Sequence, residues 1–252
     1  MKAVVLAAGK GARMGNLTKA LPKPMLRVHG KPVLEHIVPG LVNAQVDGIC
    51  IITGWRAEII EEHFGDGSAW GTSICYARQA VQDGTGKAPE LARDFVGNDS
   101  FFLTYGDILV PQETYQAMAN RFGAGDSSGL LAVTEGEDVT KGGLSFFDDH
   151  FCLTRLVEKP TPEQVRALKN EGWLRPENPL HYNAGVYIFR PLLFEFTARL
   201  EKSSRGEYEL TDAIQAMAEA KARIAGYSIK GRWVDVRDPE VLATLEAETG
   251  SQ

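Results

Sequence analysis

Ala3-Val4-Val5-Leu6-Ala7-Ala8-Gly9-Lys10-Gly11-Ala12-Arg13-Met14-Gly15 carries the reading of this chain, together with Leu21-Pro22-Lys23-Pro24-Met25 downstream. The short apolar run over 3–8, stopped by glycine, predicts a buried strand. Gly9 and Gly11 allow a sharp turn and a close approach of backbone to ligand. Successive N–H groups in such a loop form a cradle for anions, and Arg13 adds a fixed charge suited to phosphate. Pro22 and Pro24 are expected to hold Lys23 extended. The combination points to a polyphosphate site. A tight βα turn without ligand is the plainer reading of the loop alone. A dinucleotide loop would call for an acidic residue at the end of the second strand, but Ile49-Cys50-Ile51-Ile52-Thr53 ends in threonine and glycine. The pattern G-x-x-x-x-G-K-[ST] is absent as well.

The chain has 252 residues, 44% hydrophobic, enough for one large domain with a substantial core. Its net charge of -6 argues against a polynucleotide partner. No apolar run reaches membrane-spanning length, and Met1-Lys2 leads directly into the first strand, so neither membrane nor leader is expected. Cys50, Cys75 and Cys152 are odd in number and far apart. They read as reduced, buried thiols of a cytoplasmic protein, not as a disulfide or metal set.

Apolar residues at 33, 34, 37, 38, 41 and 42 have helical spacing, with a kink or early end expected at Pro39. Strands are predicted at 49–53, 73–77, 101–105 and 129–134, and helices at 56–64, 87–95 and 111–121. This alternation predicts an α/β fold: a Rossmann-like, mixed but mainly parallel sheet with helices on both faces. The second half predicts a hairpin of 143–147 and 151–158, a short helix at 162–171 and an irregular tail over 173–181. A strand at 182–189, helices at 191–200 and 210–222, short strands at 224–229 and 233–236, and a last helix opened by Asp238-Pro239 follow. One domain spans 1–252, in two halves over about 1–135 and about 136–252.

The motifs over Leu6–Met14 and Pro22-Lys23-Pro24 resemble the signature of the sugar-1-phosphate nucleotidyltransferases. The resemblance runs from Met1 to about Glu248 and implies condensation of an NTP with a sugar 1-phosphate to an NDP-sugar and pyrophosphate. Arg13 and Lys23 are then the catalytic residues, and Leu6, Ala8, Gly9 and Gly11 bind nucleotide. Asp107, after a buried strand, and Asp235, inside an apolar one, match the family's magnesium-binding positions, so Mg2+ is the implied cofactor. Read alone, Asp107 is as well explained as a helix cap. A charge within an apolar strand, as at Asp235, needs a partner or a metal.

Gln79-Ala80-Val81-Gln82-Asp83-Gly84-Thr85-Gly86-Lys87-Ala88 resembles the segment that reads uracil or thymine, with Gln79, Gly84 and Thr85 against the nucleotide. By itself it reads as a surface loop. The resemblance assigns Lys159 to the sugar phosphate, Glu158 and Asn183 to sugar hydroxyls, and Gly143 to a backbone contact with the sugar. Without it, Glu158-Lys159-Pro160 is an ordinary strand end. Glu207–Asp212 also resembles a family segment, but an acidic helix start explains it equally well.

UTP or dTTP is favoured, with cytidylyl or guanylyl transfer to another phosphorylated alcohol and an inactive regulatory relative as alternatives. The last should have lost Arg13, Lys23 or a metal aspartate, and all are present. The expected partners are therefore an NTP and a sugar 1-phosphate, with homo-oligomerisation left open. The chain departs from the pattern in three ways. Position 12 is alanine where small hydroxyl residues are common, and the 161–181 insert is long enough to wall a sugar pocket or form a subunit contact. The chain also includes no counterpart of the C-terminal left-handed β-helix of bifunctional relatives.

Overall fold

Two apolar layers sandwich one nine-stranded sheet in this computed structural model, which describes residues 1–138, 140–175 and 179–248. In chain order the strands are β1 (Lys2–Leu6), β2 (Arg27–Val28), β3 (Lys31–Pro32), β4 (Ile49–Thr53), β5 (Ile74–Arg78), β6 (Phe101–Tyr105), β7 (Ile108–Leu109), β8 (Gly129–Thr134), β9 (Gly143–Phe147), β10 (Leu153–Glu158), β11 (His181–Phe189), β12 (Ile224–Ser228) and β13 (Val234–Asp235). The helices are α1 (Val33–Asn43), α2 (Ala57–Phe64), α3 (Arg93–Val96), α4 (Glu113–Gly123), α5 (Pro162–Asn170), α6 (Leu193–Thr197), α7 (Leu210–Glu219) and α8 (Pro239–Ala247).

The central order is β10-β9-β11-β6-β1-β4-β5, with β8 paired to β11 and β12 to β8. β5, β4, β1 and β6 are mutually parallel, as the alternation of elements predicts, while β11 runs antiparallel to β6. Strand order therefore reverses at β1. The loops after β1 and β6 diverge there and open a crevice at the carboxyl ends of the strands, where open α/β sheets bind ligands.

Alternation along β1 explains the two layers. Ala3 and Val5 join Ile37 and Leu41 of α1, Ile60 of α2 and Met118 of α4 on one face. Val4 faces the other, with Leu193 and Phe194 of α6 and Leu210 and Ile214 of α7. A small third cluster of Val28, Val33, Val236 and Leu245 anchors α8.

Several local expectations change. Helix α1 runs through Pro39 to Asn43. Residues 87–95 form a 3-10 turn over Ala88–Ala92 and a single α turn, α3. The 191–200 helix shortens to Leu193–Thr197. Lys23 is not extended: Lys23–Met25 is a 3-10 turn, because only Pro22 keeps extended backbone and Met25 N–H donates to the Pro22 carbonyl at 2.8 Å. Only Cys50 is a buried thiol; Cys75 is exposed and Cys152 half-buried, since both sit at sheet margins.

In the 161–181 insert, a capping box of Thr161 and Gln164 starts α5, and Trp173 packs edge-on to Phe146. The part of the expected irregular tail over 176–178 lies outside the described residues.

Candidate active site

Two cavities, of about 530 and 220 Å³, share one wall made of Arg13, Lys23, Thr85, Tyr105 and Asp107. The larger is also lined by Leu6, Ala8, Gly9, Gly11, Gln79 and Gly84, the smaller by Gly143, Glu158, Lys159, Asn183 and Asp235. Every candidate from the sequence lies on this two-chambered cleft. No described residue of the 161–181 insert does.

The glycine loop leaves β1 and tightens into a 3-10 turn over Ala12–Thr18. Gly11 has φ +64°, and a Cβ there would stand 2.9 Å from Lys23 Cβ, so the loop packs directly on the lysine segment. A Cβ at Gly9 would meet open space, leaving the backbone free to face a ligand.

The Gln79–Lys87 loop is stitched to Glu207–Glu209. Tyr208 N–H donates to Asp83 O and Gly86 N–H to Tyr208 O, both at 2.8 Å. At Gly84, with φ +118°, a Cβ would lie 2.3 Å from Tyr208 O. The glycine is thus demanded by this backbone contact, while it also lines the larger cavity. Gln79 Nε2 donates to Gly84 O at 3.1 Å, which fixes the amide with Oε1 as the remaining acceptor.

Asp107 and Asp235 meet because β7 and β13 pair antiparallel, with Asp235 opposite Ile108. Lys23 Nζ forms an ion pair with Asp107 and stands 3.7 Å from Asp235. Burial, then the Asp107 charge, pushes the Asp235 carboxyl above the ordinary carboxylate range, against the pull of Lys23. A half-buried carboxylate pair of this kind favours a nearby cation, and its hard oxygen donors suit a divalent ion such as magnesium. Among the described residues no set of three or more His, Cys, Asp or Glu side chains could hold a metal, so an ion here would need ligands from substrate or water.

In the smaller cavity, a Cβ at Gly143 would touch Asn183 Cβ at 3.0 Å and Glu158 Oε2 at 3.3 Å. Burial raises the Glu158 carboxyl above its ordinary range, opposed by Lys159 and Arg205. Lys159 has φ +42° and sits 3.4 Å from Glu158. Asn183 Nδ2 donates to Tyr187 Oη at 2.8 Å, while its Oδ1 accepts from Gly185 N–H at 3.3 Å. The amide is therefore held at an interruption of the β11–β8 register.

Sequence reasoning passed over Tyr105, Gln82, Glu209 and Arg237, all of which line the cleft. Glu209 is 7% exposed and pairs with Arg205 at 2.7 Å. Its segment was readable as similar to the family, but an acidic helix start explains the same residues.

These features define an α/β protein with a two-chambered cleft beside the glycine loop at the carboxyl ends of its central strands. The chain belongs to the nucleotidyl transferase family, whose model matches residues 2–251. It is 35% identical to a low-salt glycan biosynthesis nucleotidyltransferase, Agl11, of Haloferax volcanii, over 98% of this chain and 65% of that one. It is 31% identical to a UTP–glucose-1-phosphate uridylyltransferase, AglF, of the same organism, over 95% and 93% of the two chains. A UDP-glucose pyrophosphorylase complexed with UDP-glucose shares the fold, with TM-score 0.83 at 24% identity over 99% of this chain and 98% of that one. The chain spans less than two thirds of the length of Agl11 and about half that of the bifunctional archaeal relatives it also matches.

Proposed function

We propose that this chain transfers a nucleotidyl group from UTP or dTTP to a sugar 1-phosphate, with magnesium, releasing pyrophosphate. The observation that carries the reading is the wall common to the two cavities, where Arg13, Lys23 and Asp107 face both chambers. A donor in one chamber and an acceptor in the other would react across that wall.

An oxygen of the sugar phosphate attacks the α-phosphorus in line. One P–O bond forms and the bond from the α-phosphorus to the pyrophosphate oxygen breaks. The nucleophile is already ionised, so positioning and charge neutralisation supply the catalysis. The loop N–H groups and Arg13 bind the triphosphate and offset charge on the leaving group. Lys23 contacts the α-phosphate region. Lys159 holds the attacking phosphate, while Glu158, Asn183 and Gly143 bind and orient the sugar. Asp107 and Asp235 would hold magnesium, which neutralises phosphate charge when bound.

Gln79 supports the choice of base. One of its two amide N–H donors is engaged with Gly84, and its Oε1 is an acceptor that suits the N3–H of uracil or thymine, which cytosine lacks. The uridylyltransferase AglF agrees with this choice. No helix is long and apolar enough to cross a membrane among the described residues, and NTP and sugar phosphate supply fits a cytoplasmic setting. A second copy of the chain remains a candidate partner.

Pyrophosphate release from UTP, dTTP, CTP or GTP against a panel of sugar 1-phosphates, with and without magnesium, tests the proposal. Magnesium-dependent release with UTP or dTTP is expected. Release only with CTP or GTP would overturn the base assignment, and none with any pairing would overturn the reaction.

A further inference from the structure

Arg237 follows Asp235 by two residues and lines the larger cavity with Gly9, Gly11, Arg13 and Lys23, but not the smaller one. Its side chain is only 18% exposed. A guanidinium carries five N–H donors, yet among the described residues none of them makes a hydrogen bond. Nη1 is buried with no hydrogen-bond partner. Nη2 stands 3.6 Å from Glu137 Oε2 and Nε 3.8 Å from Asp238 Oδ2. These separations give charge attraction without hydrogen bonding. The backbone, by contrast, is firmly set: Val236 N–H donates to Asp107 O at 3.0 Å and Arg237 N–H to Asp235 O at 2.8 Å. A rigid mount thus holds a largely buried cation, its buried Nη1 without a hydrogen-bond partner, on the cavity wall that Arg13 and Lys23 also line. Buried donors without acceptors are costly, and a planar fork of N–H groups matches phosphate oxygens.

Resting on the nucleotidyl-transfer reading and deepening it, we infer that Arg237 is a third cationic ligand of the triphosphate, beside Arg13 and Lys23. It binds the β- and γ-phosphates that depart as pyrophosphate. Its position on the nucleotide side only assigns it to the leaving group and not to the sugar phosphate. Glu137 and Asp238 orient the guanidinium without consuming its donors.

The competing account is a structural clamp in which Arg237 merely ties the Glu137 loop to the C-terminal segment. Isothermal titration of the wild-type chain, Arg237→Ala, Arg237→Lys and Glu137→Gln with inorganic pyrophosphate, UTP and UMP separates the two. Arg237→Ala is expected to weaken pyrophosphate and UTP at least about tenfold and UMP less than about twofold, with partial recovery in Arg237→Lys. Glu137→Gln is expected to bind pyrophosphate as the wild type does or more tightly. Equal weakening of all three ligands, or the same losses in Glu137→Gln, would overturn the inference in favour of the clamp. Unchanged pyrophosphate affinity in Arg237→Ala, in protein that still releases pyrophosphate from UTP or dTTP, would overturn it alone. A wild-type chain that binds neither pyrophosphate nor UTP would overturn the nucleotidyl-transfer reading with it.

Discussion

Val236 donates its backbone N–H to the carbonyl of Asp107 at 3.0 Å. This bond joins the loop after β6 to the strand before α8, and so holds the carboxylates of Asp107 and Asp235 around Lys23. The charge balance of the cleft depends on that backbone junction as much as on the side chains it presents.

Replacing Lys23 with alanine removes the cation between these carboxylates. We expect Lys23→Ala to lower kcat by about 10²–10³-fold, the scale seen when one preorganised charge-stabilising group is lost. Pyrophosphate release should report the loss, while the circular dichroism spectrum stays that of the wild type. Unchanged turnover would remove Lys23 from the mechanism.

Asp235→Asn should shift the magnesium dependence more than the fold. The concentration for half-maximal pyrophosphate release is expected to rise by roughly tenfold or more. A magnesium titration at saturating substrates reads this directly. An unchanged midpoint would place the ion elsewhere.

Gly84→Ala forces a Cβ to within 2.3 Å of the Tyr208 carbonyl at a backbone φ of +118°. The strain is on the order of 1–3 kcal/mol, which corresponds to a fall in Tm of roughly 2–12 °C for a domain of this size. Because the contact stitches the base-side loop to Glu207–Glu209, KM for the nucleotide should rise as well. Calorimetry and steady-state kinetics on the same preparation check both, and a variant with unchanged Tm would show that the loop yields freely.

Arg78 donates to Glu61 from Nε at 3.0 Å and from Nη2 at 2.6 Å, and Thr53 adds a third bond at 3.1 Å. The Arg78 hydrogen bonds chiefly hold the Glu61 carboxyl below its ordinary value of 4.5. A folded-state pKa below the unfolded one gives stability that is present above about pH 4.5 and is lost as pH falls through the folded value. Glu61→Gln should therefore have a flatter stability curve than the wild type below about pH 4.5 and a parallel one above it. Urea unfolding between about pH 3 and 7 measures the difference, and parallel curves throughout would rule out the linkage.

The parallel half of the sheet was legible because its strands are short apolar runs separated by helical periodicity, as in Ile49–Thr53 followed by Ala57–Phe64. The glycine loop and the Pro22-Lys23-Pro24 segment marked one wall of the larger cavity for the same local reason. The long β11 was legible as a strand, but its pairing with β6, β8 and β9 was not. Residues 87–95 misled because apolar spacing does not distinguish a 3-10 turn followed by one α turn from a continuous helix. At Gly84 the sequence shows a flexible residue but not the Tyr208 carbonyl that requires it. Arg237 showed no signal, since an arginine near a helix start is ordinary until its missing hydrogen bonds are seen.

By itself, the sequence determined most element types, the glycine loop after the first strand and the residue types available for chemistry, because backbone conformation, apolar period and side-chain charge are local properties. Only the tertiary structure decided that Lys23 stands between Asp107 and Asp235 and that two chambers share one wall. Those facts depend on strand pairing and on contacts between segments far apart in the chain. Such contacts form only when burial of both faces of the sheet overcomes the chain entropy lost in bringing them together.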